Sequence, residues 1–289
     1  MQKKSTQKRG AFFAVWRRLR RNKLAMLGLA MLLIMGALAI CADWIADYDT
    51  VAIGQNISQR LTPPNAAHWF GTDFFGRDVF ARIIHGARIS LSLSILAMGS
   101  AVAIGSLIGA ISGYYGGRVD DWIMRVMDIL LAIPPILMSI SIVAALGQSM
   151  VNLLIAIGIA YVPVFARVIR SSILTVKGQE FVEAARACGT GDMRIIFRHI
   201  VPNAIGPIIV QATLAMGSAI LIISSLSFMG LGIKAPSPEW GTMLAEGREQ
   251  LRYNPYLVIF PGAAIALAVL SLNLLGDGLR DALDPRLKS

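Results

Sequence analysis

The sequence is poor in the residues that build most catalytic and metal sites. Its 289 residues include only three histidines and two cysteines. It contains none of the patterns G-x-x-x-x-G-K-[ST], H-E-x-x-H and G-x-S-x-G, which mark phosphate-binding loops, zinc peptidases and serine hydrolases. Cys41 and Cys188 stand alone, without the spacing of a metal site. These absences predict a chain with no catalytic residue, metal or cofactor of its own, and exclude ATP binding through a P-loop.

Charged residues are scarce as well, and apolar residues dominate the chain. Hydrophobic residues make up 55% of the sequence and charged residues 15%, more apolar than an ordinary soluble domain. A helix needs about 20 mainly apolar residues to cross a hydrocarbon core about 30 Å thick. Six runs approach or reach that length, at 24–45, 89–112, 123–146, 151–165, 204–223 and 257–275. We therefore predict an all-α integral membrane protein with six transmembrane helices.

The positive charge is unevenly distributed. The formal net charge is +10, which in a soluble chain would indicate nucleic-acid binding. The cations are concentrated instead before the first apolar run and between residues 167 and 198. Six spans place both regions on one side, and the positive-inside rule assigns that side to the cytosol. We therefore expect both termini to be cytosolic and no nucleic-acid partner.

The cations before the first run define a cytosolic N-terminal segment, 1–23. Two interpretations stay open for it: an anchor with Trp16 at the membrane interface, or an interfacial helix that packs against a partner subunit. Ala37-Leu38-Ala39 has the form of a signal-peptide cleavage site, but the apolar run continues past it. The sequence thus predicts an uncleaved first span at 24–45, followed by an extracytoplasmic segment at 46–87.

A long polar interval in the second half has the pattern of two short helices joined at a glycine. Four residues recur at the spacing of one helix face: Phe181, Ala184, Ala185 and Cys188. Gly189 is expected to end this helix, because glycine adopts the left-handed cap conformation without steric cost. Asp192 can then cap a second helix. Its predicted apolar stripe is Met193, Ile196, Phe197 and Ile200. Such a feature suits docking into the groove of a partner.

The same residues resemble the EAA loop of bacterial ABC importer permeases, E-A-A-x-x-x-G-x9-I-x-L-P. Glu183-Ala184-Ala185 is followed by Gly189 at the family's spacing and then by a segment that ends at Pro202. His199-Ile200-Val201-Pro202 departs from the expected I-x-L-P. In that family the loop docks into a cleft of a cytosolic ATPase. The resemblance implies that the ATPase contact is made by Phe181, Glu183, Ala184, Ala185, Gly189, Phe197 and Pro202, the two phenylalanines being its apolar anchors.

Further strings resemble the C-type permease of the dipeptide, oligopeptide and nickel branch of these importers. They are Gly71-Thr-Asp73, Gly76-Arg-Asp78, Ser225 to Gly232, Pro238-Glu-Trp-Gly241 and Gly276 to Pro285. With the EAA loop, the resemblance covers the chain from about Phe12. It implies a type I ABC importer permease fold in the bacterial inner membrane, with a transmembrane domain at 88–277, a coupling loop at 170–203 and a cytosolic tail at 278–289.

The resemblance also implies partners. A homologous second permease would complete a heterodimer, and two cytosolic ATPase subunits would bind ATP and Mg. An extracytoplasmic binding protein would deliver the solute, which the resemblance implies to be di- or oligopeptides, nickel chelates or related small solutes.

The residues alone leave two other classes of function open. Asp73 and Asp78 could form the acid/base pair of a membrane-embedded enzyme, although Arg77 and Arg82 offer them ion-pair partners. Asp128 could serve an ion-driven carrier or a channel. Helical spacing instead predicts that Asp128 pairs with an arginine three residues earlier, at position 125.

Glycine and proline patterns carry the remaining expectations. Gly105, Gly109, Gly113 and Gly117 recur every four residues, which allows close helix packing, either within the chain or against a second permease. Consecutive prolines at 134 and 135, and the proline at 163, predict kinks in the third and fourth spans. The density of glycine and proline at 224–241 predicts an external loop or half-inserted segment, with Trp240 near the interface.

Overall fold

The computed structural model describes Phe13 and residues 15–283, apart from the side chains of Phe197 and Asn203. Parts of the predicted N-terminal segment and C-terminal tail therefore lie outside the described residues. Within them, helices of eight or more residues are α1 Lys23–Ile40, α2 Val79–Tyr115, α3 Gly117–Leu131, α4 Pro135–Leu146, α5 Met150–Lys177, α6 Glu180–Ala187, α7 Val201–Phe228, α8 Trp240–Gly247 and α9 Tyr256–Leu283. The prediction of an all-α protein is confirmed.

Five of these helices, α1, α2, α5, α7 and α9, are long and apolar enough to cross a membrane. The pair α3 and α4 passes the same test only together, and it is bent by 85°. Counted as one span, the pair gives six, as predicted. The third span is broken rather than kinked, because a residue before proline avoids the helical region and Pro135 begins a new helix.

Helix α2 is much longer than its apolar run. It contains 37 residues, about 55 Å at 1.5 Å per residue and well beyond the hydrocarbon thickness. Asp78 caps its first turn by accepting a hydrogen bond from the Ala81 amide at 2.8 Å. The helix therefore begins ten residues before the predicted span at 89, and the expected domain boundary at 87–88 falls inside it.

Contacts between helix ends define an outer and an inner side. On the outer side, Arg88 of α2 donates from Nε to the carbonyl of Ala39 at the end of α1, 3.1 Å away. On the inner side, Leu19 packs with Ala282 near the end of α9, so the described residues next to both termini lie together. Trp16 is partly buried in this same cluster. Its side chain therefore packs against other residues of the chain, which favours packing over the predicted position at the membrane interface.

The core forms where α2 packs against α5 at backbone distance. A Cβ at Gly105 would lie 2.7 Å from Cβ of Phe165, and one at Gly109 would overlap the carbonyl of Ala166. Gly113 is similarly close to α5, whereas Gly117 has open space around it. Packing within the chain therefore accounts for the first three glycines of the pattern.

Candidate functional site

The polar interval folds as the predicted corner, defined here as residues 180–200. Helix α6 ends in a Schellman motif, in which Gly189 has φ +74°. The Gly189 amide donates to the carbonyl of Arg186 at 3.0 Å, and the Thr190 amide donates to that of Ala185 at 3.1 Å. The prediction that Gly189 ends the first helix is confirmed, because these bonds satisfy carbonyls that the helix leaves unpaired.

The second half of the corner differs from the predicted isolated helix. One turn, Asp192–Ile195, passes through a π-helical turn, Ile196–Ile200, into α7. Pro202 lies in the first turn of α7. Because proline has no amide hydrogen to donate to the preceding turn, the wider π turn before it accommodates the missing bond.

The prediction that Asp192 caps this second helix is wrong. Gly191 occupies the cap position and makes no side-chain cap bond. The Asp192 carboxylate instead accepts a hydrogen bond from the hydroxyl of Tyr114, 2.5 Å away at the end of α2. The Asp192 carboxylate, which the sequence pattern assigned to a backbone amide, is therefore hydrogen-bonded to the buried side chain of Tyr114.

One face of the corner is packed against the transmembrane helices. Its inward residues are fully or almost fully buried: Val182, Ile195, Ile196 and Ile200. They share a cluster with Ile173 and Val176 of α5 and with Ala110 and Tyr114 of α2. Ile196 and Ile200 belong to the predicted stripe. Val182 was missed, because it follows Phe181 directly and falls outside the helical spacing of the predicted stripe.

The opposite face is open to solvent. Phe181 is 38% exposed, and Glu183, Ala184, Gly189 and Pro202 are exposed too. Ala185 is half-buried, while the side chain of Phe197 lies outside the described residues. Cys188 continues the exposed stripe of α6, and Met193 of the second stripe is 54% exposed. Six of the seven predicted contact residues therefore surround an accessible surface, which we call the α6 face.

A fixed positive charge lies beside this face. Arg186 donates from Nη2 to the Tyr114 hydroxyl at 3.3 Å, and this hydrogen bond raises the pKa of the guanidinium above its ordinary value. Its positive charge is therefore constant at any physiological pH. Arg194 and Arg198 are exposed on the second half of the corner.

A second cluster of charges lies on the outer side, at the start of α2. The carboxylate of Asp73 accepts from Arg77 Nε at 2.6 Å and from Arg82 Nη1 at 2.5 Å. Glu246 of α8 accepts from the same two arginines at 2.8 and 2.7 Å. Both guanidinium groups are buried. We call these four residues the outer network; the pairing of Asp73 was predicted, whereas Glu246 was not.

Asp73 and Asp78, the candidate acid/base pair, take part in separate contacts. Asp73 is occupied by two arginines. Asp78 was also expected to pair with an arginine, and this is wrong: it caps α2 and contacts His68 Nδ1 at 2.8 Å. Both aspartates thus accept hydrogen bonds that hold the structure, Asp73 from two arginines and Asp78 from the first turn of α2.

The segment that follows α7 is packed more firmly than predicted. Trp240 was expected near the membrane interface but is fully buried. Its Nε1 donates to the carbonyl of Ile83 in α2 at 3.0 Å. Glu239 caps α8 by accepting from the amides of Gly241 and Thr242. This segment therefore forms part of the outer side's core.

Two acidic residues of α3, Asp120 and Asp128, pair with arginines of α5 rather than along their own helix. Asp128 contacts Arg167 at 2.5 Å, not the predicted arginine at position 125. Asp120 forms a two-point contact with Arg170, each bond 2.5 Å long. The Asp128 and Arg167 side chains are 52% and 55% exposed, unlike a buried relay. In the described ranges, no three His, Cys, Asp or Glu side chains are grouped to hold a metal.

Together these features define a class: a helical membrane protein with up to six spans and a helical corner. One face of this corner packs against the transmembrane helices, and the opposite face is exposed. Known families match it. Residues 105–289 match the model for the binding-protein-dependent transport system inner membrane component. Residues 12–64 match the N-terminal transmembrane domain of oligopeptide transport permease C.

Curated relatives match over nearly the whole chain. It is similar to the dipeptide transport system permease protein DppC of Alkalihalophilus pseudofirmus, with 49% identity over 274 residues, covering 95% of this chain and 90% of that protein. It is also similar to the glutathione transport system permease protein GsiD of Escherichia coli, with 44% identity over 285 residues, covering 99% and 94%. In fold it is similar to a chain of the MetNI methionine ABC transporter, with a TM-score of 0.57 and 15% identity over 70% of this chain and 96% of that one.

The chain belongs to the family of binding-protein-dependent transport system inner membrane components. It is a multi-pass permease subunit of an ABC transporter in the inner membrane. Its family carries no cofactor, and ATP hydrolysis is carried out by partner ATPase subunits. A solute-binding protein is its other partner.

Proposed function

We propose that this permease forms half of a translocation path for small peptides, together with a homologous second permease and two ATPase subunits. The peptide assignment is supported by relatives that are named for dipeptide and glutathione transport, and these names favour peptides over nickel chelates. The heterodimer is supported by the resemblance to C-type permeases.

In this proposal the α6 face is where an ATPase subunit binds. The observation that carries it is that one face of the corner is packed while the opposite face is exposed. One face of the corner packs against α2 and α5 through four buried residues, Val182, Ile195, Ile196 and Ile200. On the α6 face, Phe181 and Ala184 leave an apolar strip exposed. Exposed apolar strips on short helices are typical of helix-in-groove docking.

The corner residues contribute to this contact in different ways. Phe181 supplies the large apolar anchor, with Phe197 proposed as the second, and Ala184 and Ala185 let a partner approach the helix closely. Glu183 adds a charge at the rim. Gly189 and Pro202 act through the backbone, because they fix where α6 ends and where α7 begins.

The natural cysteine on the α6 face gives a direct test. Cys188 is exposed, so a Cys41→Ser variant keeps one thiol, at the corner. Reconstituted with its partners in lipid nanodiscs and treated with a short bifunctional cross-linker, this variant should link to an ATPase subunit. A matched control moves the single thiol to the outer side, as Cys41→Ser/Cys188→Ser/Ser58→Cys, and should give no ATPase product. If Cys188 gave none either, the ATPase contact would lie elsewhere on the chain.

Native mass spectrometry of the complex tests the composition. We expect this chain with one other permease and two ATPase subunits. Recovery of this chain alone, or as a homo-oligomer without ATPase, would favour a channel or an enzyme.

A further inference from the structure

Tyr114 occupies an unusual place for a polar aromatic residue. It is the last residue but one of α2, yet it is only 4% exposed. Its ring faces two cations: Nζ of Lys177 lies 5.8 Å from the ring centroid, and Cζ of Arg186 lies 5.5 Å from it. Both distances lie within the range of cation–π attraction. The end of α2 is therefore surrounded by the end of α5 and by the corner.

The hydroxyl of Tyr114 connects the two halves of the corner. It donates to Asp192 at 2.5 Å and accepts from Arg186 at 3.3 Å. Arg186 precedes the glycine that ends α6, and Asp192 follows it. Because one oxygen atom bonds to both sides, a residue of α2 holds the angle at which the two halves meet.

Beneath this hydroxyl, apolar packing joins the same elements. Tyr114 shares a buried cluster with Val182 of α6 and Ile195 of the following turn. Above them, α2 and α5 touch at backbone distance along Gly105 and Gly109. A displacement of the corner thus acts on the inner end of a helix pair that has little freedom to deform.

We propose that Tyr114 is the positioning residue through which the corner moves α2, its hydroxyl holding the α6 face in the orientation that an ATPase recognises. The proposal rests on the proposed function, since it requires an ATPase at the α6 face. It adds a transmembrane-helix residue, outside the EAA pattern, to the coupling element. Removal of the hydroxyl leaves the corner attached by packing but lets its halves move independently.

Tyr114→Phe tests this, because it keeps the ring, both cation contacts and the packing. The full transporter is reconstituted in proteoliposomes with its ATPases, its binding protein and a labelled dipeptide. We expect basal ATP hydrolysis to be retained and solute transported per ATP to fall about tenfold, the size of one hydrogen bond to a charged group. Tyr115→Phe is the matched control, because Tyr115 is the neighbouring tyrosine and its side chain is half exposed. This variant should transport normally.

A second variant separates positioning from stability. Asp192→Ala removes the acceptor instead of the donor, so it should reproduce the loss, and the double variant should lose no more than either single one. Additive losses would overturn the proposal. So would normal coupling in Tyr114→Phe, or a loss that only follows a reduced amount of folded permease.

The Cys188 cross-link distinguishes this failure from failure of the proposed function. The cross-link is compared in the Cys41→Ser protein with and without Tyr114→Phe. If the corner binds the ATPase but Tyr114 does not position it, the link forms equally in the two proteins and Tyr114→Phe transports normally. If the corner does not bind the ATPase, the link is absent already in the Tyr114 protein.

Discussion

At its outer end α2 is linked to its surroundings through two buried arginines and two carboxylates, whereas at its inner end the hydroxyl of Tyr114 bonds to two solvent-exposed charges. Both guanidinium groups of the outer network are buried, so breaking one contact leaves a buried charge with fewer partners. At the inner end Arg186 and Asp192 are exposed, so their charges stay hydrated when the bonds to Tyr114 break. One helix thus has a fixed end and an adjustable one.

This difference suits a helix that transmits movement. A rigid outer end keeps the extracytoplasmic surface in one shape, which helps a binding protein recognise it. The polar contacts at the inner end involve exposed charges, so they can rearrange at smaller cost when the ATPases change state. A ligand-driven change needs an element with two arrangements of similar free energy. The inner end of α2 fits that requirement better than the outer end, because its polar partners are exposed.

The largest expected effect comes from breaking the outer network. Asp73→Ala removes the acceptor shared by Arg77 and Arg82 and should destabilise the protein by about 3–5 kcal/mol, because both arginines stay buried with one carboxylate between them. Thermal unfolding in detergent measures it. The control is Glu249→Ala, an exposed carboxylate next to the network, which should change stability by less than about 0.5 kcal/mol. Equal effects would mean that the outer end is not the fixed one.

The middle of α2 offers a comparison within one helix. A Cβ at Gly109 would overlap the Ala166 carbonyl, so Gly109→Ala should cost about 1–3 kcal/mol through forced separation of α2 and α5. Gly99 lies in the same helix with nothing near its Cβ position, and Gly99→Ala should stabilise the protein by about 0.5–1 kcal/mol. Unfolding midpoints of the two variants should thus shift in opposite directions; a common shift would contradict the close α2–α5 contact.

At the inner end the backbone conformation of Gly189 is the sensitive feature. Its φ of +74° disfavours any residue with a Cβ although no atom lies nearby, and Gly189→Val should cost about 1–2 kcal/mol. Transport should fall with little change in the unfolding midpoint, because the corner distorts while the bundle remains. Gly189→Asn should retain more activity, since asparagine tolerates this region.

Gly191→Ala is the matched control for Gly189. Gly191 also has open space around it, but its φ is −64°, so alanine should be accepted there without loss of transport. If Gly189→Val transported as well as Gly191→Ala, the angle of the corner would not matter for coupling.

Local features of this fold could be predicted from the sequence, and distant pairings could not. The apolar runs and the glycine at 189 depend on neighbouring residues, and both predictions are confirmed. Glu246 joins the outer network from 169 residues away, with no spacing that announces it. Tyr114 and Tyr115 look alike in sequence, and only the fold buries one and leaves the other half exposed. The predicted cap at Asp192 failed for the same reason, because its partner comes from another helix.

The smallest effect is expected for Asp128, the residue on which a carrier or channel would depend. Its contact with Arg167 joins α3 to α5, but both side chains are about half exposed, and exposed ion pairs contribute at most about 1 kcal/mol. Asp128→Asn should therefore leave ATP-driven transport nearly unchanged, as should Arg167→Gln, the matched change on the partner. Transport of labelled dipeptide by the two variants, with and without an imposed proton gradient, measures this. Complete loss in Asp128→Asn alone, with the loss restricted to gradient-driven flux, would return the ion-driven carrier to consideration and make the C-terminal end of α3 the place where energy enters.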